Sequence, residues 1–282
     1  MSIKLKGKEV IQKLKDNILL EVENLASKNI IPTIAIIQVG NKPEDISYRN
    51  SIVKKFNSMK VKTEIYSYET EISMEEFMKN LEQINQNEEI QGILLFRPLP
   101  KHLDYEIIKT HINPEKDIDC MNPYNLEKIF EGNISGFVPC TPKAVMEILK
   151  YYQISLEGSN VAIVNRSMVV GKPLAMMLLS ENATITICNS KTKNLAEITS
   201  NADIVIAAVG KPLIFGKEYF NENSIVIDVG INFKDGRICG DVDYDNVKDY
   251  VKAITPVPGG VGGVTTLILL HNLIMACKGK EN

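Results

Sequence analysis

The chain has 282 residues, 44% hydrophobic and 24% charged, which is apolar side chain enough for a sizeable core and, at roughly 100–200 residues per domain, length enough for two domains. Its 32 basic and 35 acidic residues leave a net charge of −3; a protein that binds nucleic acid by neutralising phosphates is usually basic, so that class is set aside. The five cysteines (Cys120, Cys140, Cys188, Cys239, Cys277) form no C-x-x-C pair and the three histidines (His102, His111, His271) lack ligand spacing, so neither a disulfide framework nor a metal site is expected.

The opening MSIKLKGKEV carries charges where a secretory signal needs an apolar stretch. No run further on is read as reaching the ~18 apolar residues that cross a bilayer, so the expected location is the cytoplasm, with no membrane partner. A first helix is predicted over about 7–29. It is followed by a buried strand at Thr33–Val39, a helix at about 45–59, a more exposed strand at Lys62–Tyr68, a helix at about 73–86 and a buried strand at Ile90–Phe96. Ser73 and Glu76 have the spacing of a capping box. The stretch Asn113–Pro142, rich in Pro, Gly and Asn, reads as connecting loop and hinge. Thr141 and Pro142 then supply an N-cap and a first-turn proline for a helix to about Tyr152.

A second series of strands follows at 161–165, 184–188, 203–209 and 224–230. Short β-branched runs alternating with helix-length segments predict parallel sheets with crossover helices, and these four strands fit a dinucleotide-binding α/β domain. The last segment, about Gly263–Cys277, is an apolar helix behind a glycine-rich loop, and it calls for a partner surface on the first domain.

Several segments could carry chemistry. The turn from Asn165 to Pro173 leads from a strand into a helix, where free N–H groups and the helix dipole suit a pyrophosphate and Gly171 permits close approach. It is not G-x-G-x-x-G, and a plain strand-to-helix turn is an equal reading. Arg166 favours the ligand, because a guanidinium beside a dinucleotide is the usual partner of a 2′-phosphate. Ser190 lies where an adenosine ribose would sit and serves equally as an N-cap. The loop Thr255–Gly263 exposes backbone and leaves room for a planar ligand, or else is a rigid connector. Tyr48, early in its helix, could stack on a ring, and Asp119, in KDID, could accept two hydrogen bonds from an amino-substituted heterocycle.

These segments in this order resemble the methylenetetrahydrofolate dehydrogenase/methenyltetrahydrofolate cyclohydrolase family. The matching stretches are VGNKP (39–43), GILLFRPLP (92–100), PEKDIDCMNPYN (114–125), PCTP (139–142), RSMVVGKP (166–173), DVGIN (228–232), GDV (240–242) and TPVPGGVG (255–262). The resemblance implies an α/β protein of two domains. These are a folate-binding catalytic domain (1–120 plus about 268–282) and a Rossmann-type NADP-binding domain (141–267), with 121–140 connecting them, the cleft lying between the two and the whole usually a homodimer. It implies oxidation of 5,10-methylenetetrahydrofolate by hydride transfer to NADP in preference to NAD, with no metal. In most members hydrolysis to 10-formyltetrahydrofolate follows. Carried over, Asp119 would hold the pterin, Tyr48 would stack on the folate, and Pro258, Gly259 and Gly260 would line the cleft. Asn165, where the family usually has Gly, would contact the dinucleotide together with Arg166, Ser167, Ser190, Ile231 and Thr265.

Two departures bear on the second reaction. The family's Y-x-x-x-K lysine is replaced by Ile52, four residues after Tyr48, and the glutamine of Q-L-P-L-P by Phe96. Neither side chain can move a proton, and general acid/base catalysis typically contributes 10²–10⁴-fold, roughly. Hydride transfer asks mainly for geometry. The expectation is therefore a dehydrogenase with weak or absent cyclohydrolase activity, dependent on a separate cyclohydrolase. The alternatives are the full bifunctional enzyme, with Lys55 two turns from Tyr48 as a substitute amine, and a catalytically inactive binding protein.

Overall fold

The computed structural model describes residues 2–279. In chain order the elements are β1 (Ile3–Lys4), α1 (Gly7–Ser27), β2 (Thr33–Val39), α2 (Pro43–Asn57), β3 (Lys62–Tyr68), α3 (Met74–Gln86), β4 (Gly92–Leu95), α4 (Tyr105–His111) and α5 (Pro123–Phe130). There follow α6 (Cys140–Tyr151), β5 (Asn160–Val164), α7 (Gly171–Leu179), β6 (Thr184–Cys188), α8 (Leu195–Ser200), β7 (Ile204–Ala207) and β8 (Ile225–Asp228). The last are β9 (Asn232–Lys234), β10 (Arg237–Cys239), α9 (Tyr244–Val247), β11 (Ala253–Ile254) and α10 (Val261–Lys278).

The chain divides into two compact units. One comprises Leu14–Lys128, Ser135–Val138 and the residues from Leu269 on. Its sheet is parallel, in the order β3-β2-β4. β2 lies in the middle and is buried along almost its whole length, which is why TIAIIQV is mostly apolar, with Thr33 and Gln38 its buried polar members, whereas β3 at the edge mixes exposed and half-buried positions. Ala35, Ile37, Phe77, Leu81, Ile93, Leu95 and Ile108 build the core. α3 starts where the sequence indicates: Ser73 is its N-cap and accepts from the Glu76 N–H at 3.2 Å.

The other unit comprises residues up to Lys13, Ile129–Ile134 and Pro139–Ile268. Its six-stranded parallel sheet has the order β1-β11-β8-β7-β5-β6. After β5 the chain places β6 on one side and β7 on the other, so a topological switch point falls at the carboxyl ends of β5 and β7, where open α/β sheets bind ligands. Ala162, Val164, Val205, Ala207, Val226 and Ile254 form the core on one face.

Four expectations are corrected. Residues 2–13 belong with the six-stranded sheet, because Ile3 and Lys4 pair with Ala253 and Ile254. Within Asn113–Pro142, read as loop, Pro123–Phe130 is helical. α6 begins at Cys140 with Pro139 as N-cap, so Thr141 lies in the first turn and caps nothing. Finally, α10 is long and apolar enough to cross a membrane, with mean hydropathy 1.4, although 56% of it is buried within the protein, as expected of a core helix. Lys278 of α10 pairs with Glu21 of α1 at 2.7 Å.

Candidate functional site

In the unit built on β3-β2-β4, the segment KDID shows how a loop can present one carboxylate by spending its neighbours on structure. Lys116 is buried, and its Nζ donates to the carbonyls of Asn85 (2.6 Å), Asn87 (2.7 Å) and Ile84 (3.3 Å), saturating the open carboxyl end of α3. Asp117, fully buried, accepts from the Met121 and Asn122 N–H groups, both at 2.8 Å, and from Asn125 Nδ2 at 3.0 Å. Burial pushes its carboxyl up to about 6 against the pull of those hydrogen bonds. The Ile118 carbonyl accepts from Asn272 Nδ2 of α10 at 2.8 Å. Held on both sides, Asp119 remains partly exposed and meets Arg97, whose Nη2 lies 3.0 Å from its Oδ2.

Arg97 follows β4, as does Phe96, whose ring packs against Tyr48 with centroids 5.5 Å apart and planes at 34°. Tyr48 is 48% exposed, enough surface for contact with a planar ligand. Ile52 is completely buried. Lys55, partly buried on the same helix, has its pKa lowered, first by burial and then by the charge of Lys15. Tyr48, Phe96, Arg97 and Asp119 thus form one cluster, and Arg97 is the member that sequence reasoning missed. Its signal was a lone cation in an otherwise apolar segment.

At the switch point of the larger sheet, Asn165 Nδ2 donates to the Ala208 carbonyl, tying the ends of β5 and β7 together. Asn165 Oδ1 accepts from the N–H groups of Ser167 (2.8 Å) and Gly171 (3.0 Å) and from the Ser167 hydroxyl (2.8 Å), while Ser167 Oγ accepts from the Val170 N–H at 3.1 Å. This corrects the expectation of free amides in the turn: the Asn165 carboxamide has taken two and the Ser167 hydroxyl a third. It also changes the reason for Gly171, since a Cβ there would lie 2.0 Å from the Asn165 carbonyl oxygen. Space at Gly171 is for the chain's own backbone. An anion at this crevice would be held chiefly by the exposed Arg166, a group suited to a phosphorylated dinucleotide.

Ser190, just past β6, is exposed. Its N-cap reading is corrected, because α8 starts at Leu195 with Asn194 as its cap and Ser190 lies in a turn closed by Thr192 Oγ1, which accepts from the Asn189 N–H at 2.8 Å. Ile231 is 59% exposed and Thr265 half-buried on α10. In the loop after β11, Thr255 Oγ1 accepts from the Asp228 N–H at 2.8 Å and the Gly259 carbonyl from the Gly7 N–H at 2.8 Å. Pro258 and Gly259 are exposed, whereas Gly260 is buried. The loop is therefore rigidly tied and still offers surface.

Below that loop two acidic side chains organise backbone. Asp228 accepts from the N–H groups of Gly230, Asp241 and Val242, and Asp241 from those of Val209, Gly210 and Lys211. Burial pushes Asp228 up to about 7. Among the described residues no group of three or more His, Cys, Asp or Glu could hold a metal ion.

Residues 5–119 match the family model described as "Tetrahydrofolate dehydrogenase/cyclohydrolase, catalytic domain", and residues 139–281 match its "NAD(P)-binding domain". A relative from Desulfitobacterium hafniense (strain Y51), named "Bifunctional protein FolD 1", is 56% identical over 277 residues, covering 98% of this chain and 99% of its own. The crystal structure of the bifunctional methylenetetrahydrofolate dehydrogenase/cyclohydrolase FolD from Campylobacter jejuni superposes with a TM-score of 0.96 at 37% identity, covering 99% of this chain and 100% of that one. The dehydrogenase-cyclohydrolase FolD of Trypanosoma brucei, complexed with NADP cofactor and inhibitor, gives 0.94 at 29% identity, covering 100% and 99%. Matched along both units, this chain belongs to the tetrahydrofolate dehydrogenase/cyclohydrolase family.

Proposed function

We propose that the chain oxidises 5,10-methylenetetrahydrofolate to 5,10-methenyltetrahydrofolate by hydride transfer to NADP. The observation that carries this reading is the cluster of Asp119, Arg97 and the Tyr48–Phe96 ring pair in the unit matched by the catalytic-domain model. Asp119 accepts hydrogen bonds from the amino edge of the pterin and Tyr48 stacks on the folate. Pro258, Gly259 and Gly260 contact the substrate, and Arg166, Ser167, Ser190, Ile231 and Thr265 contact the dinucleotide, with Asn165 acting through the turn it holds. NADP is favoured over NAD by the exposed Arg166 and by the NADP bound to the Trypanosoma brucei relative. NADP supplies the hydride acceptor, and the protein's part is to hold donor carbon and acceptor in contact. A cytoplasmic homodimer is the setting we assign it.

For the hydrolytic step, the relatives' names favour the full bifunctional enzyme over the weak or absent cyclohydrolase expected from Ile52 and Phe96, and they make a separate cyclohydrolase unnecessary. We adopt the bifunctional reading, with the consequence that this step proceeds without the lysine–glutamine pair. Lys55, the partly buried amine two turns along α2 from Tyr48, is the candidate for its proton transfer. The experiment is the appearance of NADPH absorbance with methylenetetrahydrofolate, followed by decay of added methenyltetrahydrofolate against the rate in buffer. Decay no faster than buffer would return the dehydrogenase-only reading to first place, and tight cofactor binding without NADPH formation would leave a binding protein.

A further inference from the structure

The Arg97–Asp119 pair is only a quarter and a fifth exposed, and its guanidinium has a second partner. Arg97 Nη2 donates to Asp119 Oδ2 at 3.0 Å and Nη1 to the Tyr105 hydroxyl at 3.2 Å, with the guanidinium carbon 5.8 Å from the centre of the Tyr105 ring. Tyr105 opens α4, whose start is fixed by Asp104 accepting from the Glu106 N–H at 2.9 Å. Two elements therefore fix the plane of the fork. The guanidinium is thereby anchored from α4 beside a candidate ligand carboxylate.

A guanidinium has five N–H donors and no acceptor, while a carboxylate has about four acceptor positions and no donor. The single bond between them therefore exhausts neither group. Side by side they present a donor next to an acceptor, the complement of a cyclic amide edge, in which N–H stands beside C=O. A carboxylate alone accepts from ring N–H and amino groups and makes no contact with the carbonyl itself.

We propose that Arg97 is a specificity-determining residue for the pteridine ring, pairing with Asp119 to recognise its lactam edge, the carboxylate accepting the ring N–H and the guanidinium donating to the neighbouring carbonyl. The inference rests on the folate reading above. It predicts discrimination between a 4-oxo ring and a 4-amino ring, in which the carbonyl has become a donor facing the guanidinium and the ring N–H has become an acceptor facing the carboxylate.

The test is calorimetric binding of folic acid and of its 4-amino analogue to the wild-type protein and to Arg97→Leu and Arg97→Lys, with NADP binding and melting temperature recorded for each. The wild type should prefer the 4-oxo ring. Arg97→Leu should weaken folic acid roughly tenfold or more, the usual cost of a lost charged hydrogen bond, and reduce the preference by a similar factor, the remainder being that of Asp119 for the ring N–H, while NADP binding stays within about twofold on the same scale. Arg97→Lys, with its charge but not the fork, should restore part of both. A preference unchanged in a folded Arg97→Leu protein, an equal loss of folate and NADP binding, or a wild type that binds neither ring would overturn the proposal. Ring discrimination by a wild type that forms no NADPH would instead sink the dehydrogenase reading and leave the Arg97 assignment standing.

Discussion

Asp117 and Asp228 are carboxyls that burial holds above their ordinary value of 3.8, at about 6 and about 7. The folded chain therefore binds more protons than the unfolded one between roughly pH 4 and pH 7, and stability is lost as pH rises through that window. The melting temperature should fall between pH 5.5 and about pH 7.5, and Asp228→Asn should flatten the upper part of the slope. A melting temperature that climbs across the window would contradict both assignments. Arg166 answers to a different readout. Arg166→Ala should raise the KM for NADP much more than that for NAD, by the equivalent of about 1.5–3 kcal/mol for the lost charged hydrogen bonds, and an unchanged ratio would remove its assignment to the 2′-phosphate. At this scale the sequence disclosed Asp119 and Tyr48 as side chains with suitable chemistry. It did not disclose Arg97, because a partner 22 residues away is set by the ends of β4 and the KDID loop and not by spacing.

At the scale of elements, Lys116 shows how one side chain terminates a helix from a distance. Lys116→Met should cost about 2–3 kcal/mol, since three carbonyls at the end of α3 lose a charged donor within the protein; chemical denaturation measures it, and a loss below about half a kcal/mol would show that water takes over the role. Gly171→Ala should likewise destabilise, by about 1–3 kcal/mol, because its Cβ would meet the Asn165 carbonyl. The accompanying mutation Asn165→Gly should reduce that cost only slightly, as the clash is with backbone. The strands β2, β3 and β6 were legible to the residue, because each is rich in β-branched or aromatic residues and β2 is bounded by Pro32 and Gly40. β1 and β11 were not, since two residues carry no period and exist only through their pairing with one another and with β8. The β9–β10 hairpin had a readable signal in Asp235-Gly236, both at positive φ as a tight hairpin turn requires, but its strands are three residues each. α5 was hidden by its proline, which was read as a loop former and in fact opens the helix.

For the whole molecule, the parallel αβ alternation and the family were legible because they are distributed over the entire chain, whereas the cyclohydrolase question turns on two positions and is correspondingly hard to read. Restoring the pair, Ile52→Lys with Phe96→Gln, should raise cyclohydrolase activity by more than the product of the single effects, since an amine needs a partner to orient it. Ile52 is fully buried, so the lysine alone should also lower stability. A double variant no more active than the parent would show that these positions do not limit hydrolysis. The claim on which the rest depends is hydride transfer from the folate to NADP, and it is tested most directly by following absorbance at two wavelengths in one sample of purified protein with methylenetetrahydrofolate and NADP. The account predicts enzyme-dependent NADPH formation, with methenyltetrahydrofolate then disappearing faster than in buffer; no NADPH above the protein-free control, under conditions where both ligands bind, would contradict it.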